Sequence, residues 1–187
     1  NIITGQIVGL ETLIRWQTAG DFVSPGEFIP LAEKSGLIIQ LGQWIVEQAC
    51  LQANSLVQKG YKELVIAINI SPQQFQHPAF FEMIQNALAL TAVPASSIEL
   101  EITEGVIMYN ESDTIDLLHK LKNCGLKLSI DDFGTGYSSL SYLKQFPIDK
   151  LKIDQSFIKH LNKSKADKAI VNTVIDLGKN LGLTLIA

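Results

Sequence analysis

Asp131 and Asp132 are adjacent carboxylates at the end of an apolar-alternating run, in the stretch Leu126 to Leu140, LKLSIDDFGTGYSSL. Two like charges side by side repel unless a cation or a shared proton compensates them. Hard divalent cations take oxygen ligands and suit such a pair, although a solvated Asp-Asp turn fits this stretch alone equally well. Gly134 and Gly136 let the chain turn sharply just beyond. Glu11, Asn69, Glu101, Lys152 and Asp154 follow the same rule, each breaking the apolar character of a predicted strand at or near its carboxyl end. Gathered at one mouth, these carboxylates would each cost several kcal/mol if unpaired. Lys152 and Arg15 cannot neutralise them all, whereas divalent cations can. A Glu, Asn, Glu, Asp set is an oxygen-only shell of the kind magnesium and manganese prefer, and the absence of His or Cys from it argues against zinc. His77, His119 and His160 fall in loop or helix patterns that suit surface or capping roles.

Metal ions beside a lysine and an arginine suit an anionic, phosphate-bearing substrate. Two metals could polarise a phosphoryl oxygen and lower the pKa of a bound water for in-line attack. Lys152 would orient or deprotonate that water, or stabilise charge on the phosphate. Arg15 would meet a phosphate oxygen with its fork of donors. The residues thus point to a metal-dependent phosphoester hydrolase without identifying the ester. The competing account is a buried salt-bridge network with Lys152 and Arg15, which requires acids and bases in nearly matched number.

The elements that must position these residues alternate strand and helix. Gln6 to Trp16 reads as a strand with Glu11, Leu13 and Arg15 on one face. Ser24-Pro25-Gly26-Glu27 has the form of a capping box opening a helix to about Ser35. Leu37 to Lys59 is a longer helix closed by Gly60, on which Trp44 is expected to pack. Leu64 to Ile70 is nearly all apolar, as in a parallel strand covered on both faces. Phe80 to Thr91 is helical, Ile98 to Thr103 a strand, and Ser112 a potential cap for the helix that Gly125 ends. After the Leu126 strand come a short helix following Ser138, the strand Leu151 to Asp154, a helix from Ser164 to Leu181 and a strand from Leu183. Such an order implies right-handed crossovers and a parallel sheet. No GxGxxG or Walker loop supports a nucleotide-binding open sheet. Polar residues clustered at strand ends favour a barrel, whose active sites lie at that mouth. The expected fold class is therefore α/β, a TIM-like barrel with about six parallel strands.

With 187 residues, 47% of them hydrophobic, the chain can bury one sizeable core. A net charge of −4 without a basic block excludes a sequence-independent grip on DNA. Cys50 and Cys124 lack CxxC spacing and read as buried free thiols of a reducing compartment. No apolar run could cross a bilayer and no signal peptide is evident, so a cytoplasmic domain without direct membrane contact is expected. Both ends read as cut, the last in the middle of a strand pattern, so the chain is expected to be a fragment.

The stretches IVGLETLIRW, FIPLAEKSGLI, NISPQQF, ELEITE, DDFGTGYSSL and LKIDQSFI resemble, in order and across the whole chain, the EAL domain of bacterial cyclic di-GMP phosphodiesterases. The resemblance implies a TIM-like barrel whose first strand runs antiparallel to the rest, with two magnesium or manganese ions and hydrolysis of cyclic di-GMP to linear pGpG. Residue by residue, it puts metal ligands at Glu11, Asn69, Glu101 and Asp131, with Asp132 serving the second ion. Lys152 matches the lysine that contacts the attacking water, and Arg15 the phosphate-binding arginine. Leu13, Gln74 and Asp154 lie in matching motifs as substrate contacts. Glu104 matches a glutamate that steadies the loop after Asp132, which the family uses in metal binding and dimer contacts. The signature triplet reads Glu11-Thr12-Leu13, with threonine in place of alanine, and Thr12 should point away from Glu11. The resemblance also implies a further opening strand before Asn1, and a metal-binding glutamate, helix and strand after Ala187. A homodimer, joined to sensory or diguanylate-cyclase-like domains, is the expected setting. The alternative is a degenerate receptor for cyclic di-GMP, or a protein-interaction module, in a signalling protein.

Overall fold

A computed structural model describes residues 1–107, 111–135, 143–161 and 164–187. They fall into two compact units, Asn1–Glu99 and Leu100–Ala187. The helix expected after Ser138 lies outside the described residues.

In the first unit, β1 (Gly9–Thr12) runs parallel to β4 (Val65–Ile70), with Glu11 opposite Ala67 and Thr12 opposite Ile68. Gly9 sits where the strands meet closely, and a Cβ there would stand 3.1 Å from the Val65 carbonyl oxygen, a tight approach. The Thr12 hydroxyl donates to the Ala67 carbonyl oxygen at 2.8 Å, so it is spent on the strand pairing. The expected strand from Gln6 to Trp16 is shorter than anticipated. Beyond Thr12 the chain leaves β1, and β2 (Trp16–Gln17) pairs antiparallel with β3 (Phe22–Val23). Two-residue strands carry too few positions for an alternation to register.

Helix α1 (Pro25–Ser35) starts on proline and ends at Gly36, whose φ of 75° closes it. Ser24 makes no side-chain cap bond, contrary to the expected capping box. Ser24 and Glu27 are both exposed, and water competes for each partner. Helix α2 (Leu37–Gln58) packs on α1, on β4, on α3 (Pro72–Phe75) and on α4 (Phe80–Thr91). Its buried face, Ile38, Val46, Ala49, Cys50 and Ala53, meets a core that includes Ile66, Ile68, Phe80 and Ile84. Each large aliphatic or aromatic side chain so buried contributes about 1.5–3 kcal/mol. Trp44, expected to pack, is 52% exposed.

Burial pushes the Cys50 thiol up to about 11, against an ordinary 9.0. Its raised pKa means that the stability held by the neutral thiol is complete below about pH 9 and is lost as pH rises through about 11. At neutral pH, maleimide is expected to label partly exposed Cys124 well before buried Cys50. Mass mapping of the labelled chain checks this, and equal labelling would contradict it. Cys124 is less buried than expected, and Cys50 and Cys124 are not joined in a disulfide.

In the second unit the strand order is β5 (Ile98–Thr103), β6 (Lys127–Phe133), β7 (Lys150–Ile153) and β8 (Thr184–Ile186). Strands β6, β7 and β8 run parallel. Helix α5 (Glu104–Ile107) follows β5 directly, and α6 (Glu111–Asn123) then packs on β6. Ser112 lies inside the first turn of α6 and not before it. Helix α7 (Gln155–Lys159) leads to α8 (Lys165–Asn180), which packs on β7 and β8. Ser164 caps α8 by accepting the Asp167 N–H at 3.1 Å. Leu118, Leu121, Leu126, Leu128, Ile130 and Leu151 are essentially inaccessible and form this unit's core. Asp149 holds the start of β7 in register. It accepts from the Leu128 N–H (2.9 Å) and the Lys122 ammonium (2.5 Å), and its own N–H donates to the Leu128 carbonyl.

Candidate functional site

The first unit presents Glu11 at the end of β1 and Asn69 near the end of β4, both exposed. Strand alternation turns Ile68 and Ile70 into the core and leaves Asn69 outside. The Asn69 Nδ2 donates to Glu11 Oε1 at 2.7 Å, so one carboxamide and one carboxylate stand together. Past β1 the alternation of exposure persists, with Leu13 and Arg15 open to solvent and Ile14 half-buried. The Arg15 Nη1 donates to the Ile14 carbonyl at 2.9 Å. Gln74 is placed differently from an open substrate contact. It is 5% exposed and belongs to a capping box with Ser71.

The second unit brings three sequence-predicted residues together. Lys152 on β7 donates from Nζ to Glu101 Oε2 on β5 at 2.7 Å and to Asp131 Oδ2 on β6 at 3.0 Å. The side chains of Lys152, Glu101 and Asp131 are 15%, 3% and 20% exposed. Burial acts to lower the lysine's pKa, but the hydrogen bonds and charges of Glu101 and Asp131 outweigh it and hold the ammonium above its ordinary value.

Asp132 sits where the β6–β7 register shifts, between Ile130 and Phe133, and adopts a positive φ of 53°. A bulge re-aims side chains locally, and Asp tolerates the left-handed conformation better than most residues. The Asp132 N–H turns back to Asp131 Oδ1 at 2.9 Å. Partial burial, then the neighbouring Asp131 and Asp154 carboxylates, raise the Asp132 pKa above the ordinary carboxylate value. Asp154 moves the other way. It caps α7, and the Ser156 hydroxyl and N–H lower its pKa by stabilising the anion. The sequence pattern does not anticipate this short helix, although Asp154 followed by Ser156 is a helix-start signal.

Glu104, 4% exposed, accepts the Gly134 N–H at 3.0 Å through Oε2. It therefore ties the first turn of α5 to the loop that leaves Asp132. Gly134 has a φ of 101°, and a Cβ there would meet Phe157 at 3.0 Å. Gly134→Ala is expected to cost about 1–3 kcal/mol through backbone strain alone. Thermal unfolding measures it, and an unchanged midpoint would show that the loop simply moves aside.

In the second unit, carboxylate oxygens of Glu101 and Asp131 flank the Lys152 ammonium, and Asp132 stands beside Asp131 and Asp154. An excess of anionic oxygen with no thiolate or imidazole is what Mg²⁺ or Mn²⁺ takes.

Among the described residues, no helix is long and apolar enough to cross a membrane. The EAL domain family model matches residues 1–187. The chain is 41% identical over 184 residues to the bifunctional diguanylate cyclase/cyclic di-GMP phosphodiesterase MucR of Pseudomonas aeruginosa, covering 98% of this chain and 27% of that protein. It is 40% identical over 185 residues to the cyclic di-GMP phosphodiesterase NbdA of the same organism, covering 98% of this chain and 24% of that protein. It thus spans about a quarter of the length of these relatives. Among solved structures, the PaMucR phosphodiesterase in complex with c-di-GMP superposes with a TM-score of 0.94 at 41% identity, over 97% of this chain and 74% of that one. The EAL enzyme Bd1971 in its cGMP-bound form gives 0.92 at 34% identity, over 99% and 52%. The fold class is that of these structures, an α/β TIM-like barrel type with six parallel strands alternating with helices. The six motifs, the strand-tip acids they carry and the family match agree, and the chain belongs to the EAL domain family.

Proposed function

We propose that this chain is a catalytic EAL domain that hydrolyses cyclic di-GMP to linear pGpG with the help of divalent cations. The observation that carries this reading is the arrangement of Glu101, Asp131 and Lys152 on three strands, two carboxylates flanking one ammonium. The names of MucR and NbdA supply the substrate. Glu11, Asn69, Glu101 and Asp131 are proposed to hold one Mg²⁺ or Mn²⁺, and Asp132 to serve a second. Such cations, when bound, supply Lewis-acid polarisation of a phosphoryl oxygen and an acidified water.

The chain's own residues do the rest. Lys152, flanked by two carboxylates, acts as a cationic donor that orients the attacking water or steadies charge developing on the phosphate. Arg15 presents its planar fork to a phosphate oxygen, with Leu13 and Asp154 beside the nucleotide. Glu104 holds the loop after Asp132 through Gly134. In the reaction one water oxygen–phosphorus bond forms, one ester bond breaks, and the leaving ribose oxygen takes up a proton. The reading extends to a cytoplasmic domain working as a homodimer and joined to sensory or diguanylate-cyclase-like domains.

Incubating the chain with cyclic di-GMP and Mg²⁺ or Mn²⁺, with chromatography of the products, tests this. Metal-dependent conversion to pGpG is expected. Binding without cleavage would make the chain a receptor, and neither binding nor cleavage would leave an interaction module.

A further inference from the structure

Strand β4 ends at Ile70, and the chain turns into α3 within one residue, Ser71, at φ −72° and ψ 155°. That turn is closed twice. The Ser71 Oγ accepts the Gln74 N–H at 3.2 Å, and the Gln74 Oε1 accepts the Ser71 N–H at 3.1 Å. Capping boxes on surface helices are common and locally stabilising. This one is unusual in where its glutamine lies. Gln74 is 5% exposed, and its carboxamide is laid against α2 at Gly42, where a Cβ would fall 1.6 Å from Nε2 and 2.3 Å from Cδ. Glycine in mid-helix is unfavourable by itself. At position 42 it makes the slot that the Gln74 side chain fills.

Asn69 lies two residues before Ser71. Its Nδ2 is engaged by Glu11, which leaves Oδ1 as the atom able to serve a cation. The direction of that oxygen depends on the path of the backbone from Ile68 to Ser71, and Gln74 fixes the far end of that path. We propose that Gln74 is a positioning residue, which from its slot against Gly42 clamps the β4–α3 turn and thereby aims Asn69. This rests on the reading of Asn69 as a metal ligand, and it assigns Gln74 no contact with substrate.

Gln74→Met keeps the volume and removes both polar atoms, Ser71→Ala removes the other half of the clasp, and Ser71→Thr keeps its hydroxyl. Each is compared with the unaltered chain for Mn²⁺ affinity by EPR titration, for melting temperature, and for kcat and KM with cyclic di-GMP. Partners that orient metal ligands typically matter by about 10–100-fold in affinity or rate. Gln74→Met and Ser71→Ala are therefore expected to weaken Mn²⁺ binding by about tenfold and to lower kcat at saturating Mn²⁺ with KM unchanged. Ser71→Thr is expected to match the unaltered chain in all three. Should Gln74→Met fail to fold, the serine pair gives the same comparison. A lowered melting temperature with unchanged Mn²⁺ affinity and kcat would overturn the proposal, as would a raised KM with unchanged Mn²⁺ affinity. An unaltered chain that binds no Mn²⁺ would overturn the ligand reading, and the proposal with it.

Discussion

Glu101→Gln is expected to lower kcat for cyclic di-GMP by about 10³-fold, the scale on which removal of a charge-stabilising group acts, while leaving the melting temperature nearly unchanged. Glu101 is 3% exposed at the tip of β5, and its Oε2 receives the Lys152 ammonium at 2.7 Å. Glutamine has the same volume, so no cavity opens, and its carbonyl oxygen can still accept from Lys152. Lys152 also keeps Asp131 at 3.0 Å. What disappears is one formal negative charge and one anionic oxygen. A fold held by packing tolerates that loss, whereas a cation site does not. Glu101→Ala would be a poorer probe, because it adds a void at a buried position. A Gln variant with the unaltered rate would remove Glu101 from the proposed ligands. A large fall in melting temperature would show that the carboxylate serves folding first.

Much of this arrangement was legible because parallel strands buried on both faces are nearly all apolar. A charged or amide residue in such a run stands out, as Asn69 does in VIAINI, whereas in IELEIT Glu99 and Glu101 alternate on one face and the pattern alone does not single out Glu101. Periodicity fails where elements are short or irregular. The β2–β3 pair is two residues per strand. The register shift before Phe133 breaks the rule that neighbours face opposite ways, so the positive φ of Asp132 could not be anticipated. The caps show a different limit. Ser24-Pro-Gly-Glu27 and Ser71-Pro-Gln-Gln74 satisfy the same pattern, yet only the second makes both bonds. The difference is burial. Gln74 is buried and must find protein partners, with Ser71 half-buried beside it, while Ser24 and Glu27 are exposed. Burial of a four-residue segment depends on what packs against it, here Gly42 on α2, some thirty residues earlier in the chain. The motif alone therefore does not reveal that Gln74 is buried in the cap of α3.

Lys152→Met is expected to lower kcat by about 10²–10³-fold and, in EDTA, to destabilise the fold by about 3–5 kcal/mol, the usual result of removing one partner of a buried ion pair. The methionine retains the aliphatic stem, so packing is little altered and the effect isolates the charge. Without the ammonium, the Glu101 and Asp131 carboxylates that it bridged face each other, the first almost wholly out of water. A divalent cation binding there relieves that repulsion and binds the folded state alone, which raises stability by mass action. In the unaltered chain the ammonium already neutralises part of the charge, so added Mg²⁺ has less repulsion to relieve. The rise in melting temperature on adding Mg²⁺ should therefore be larger in Lys152→Met than in the unaltered chain, although Lys152→Met remains the slower enzyme. Activity and stability would then respond in opposite senses to one ion, which a loss of packing cannot produce. Equal Mg²⁺ shifts in the two proteins would mean that the Glu101 and Asp131 oxygens do not hold the cation. The role of Lys152 would then be confined to neutralising its two neighbours.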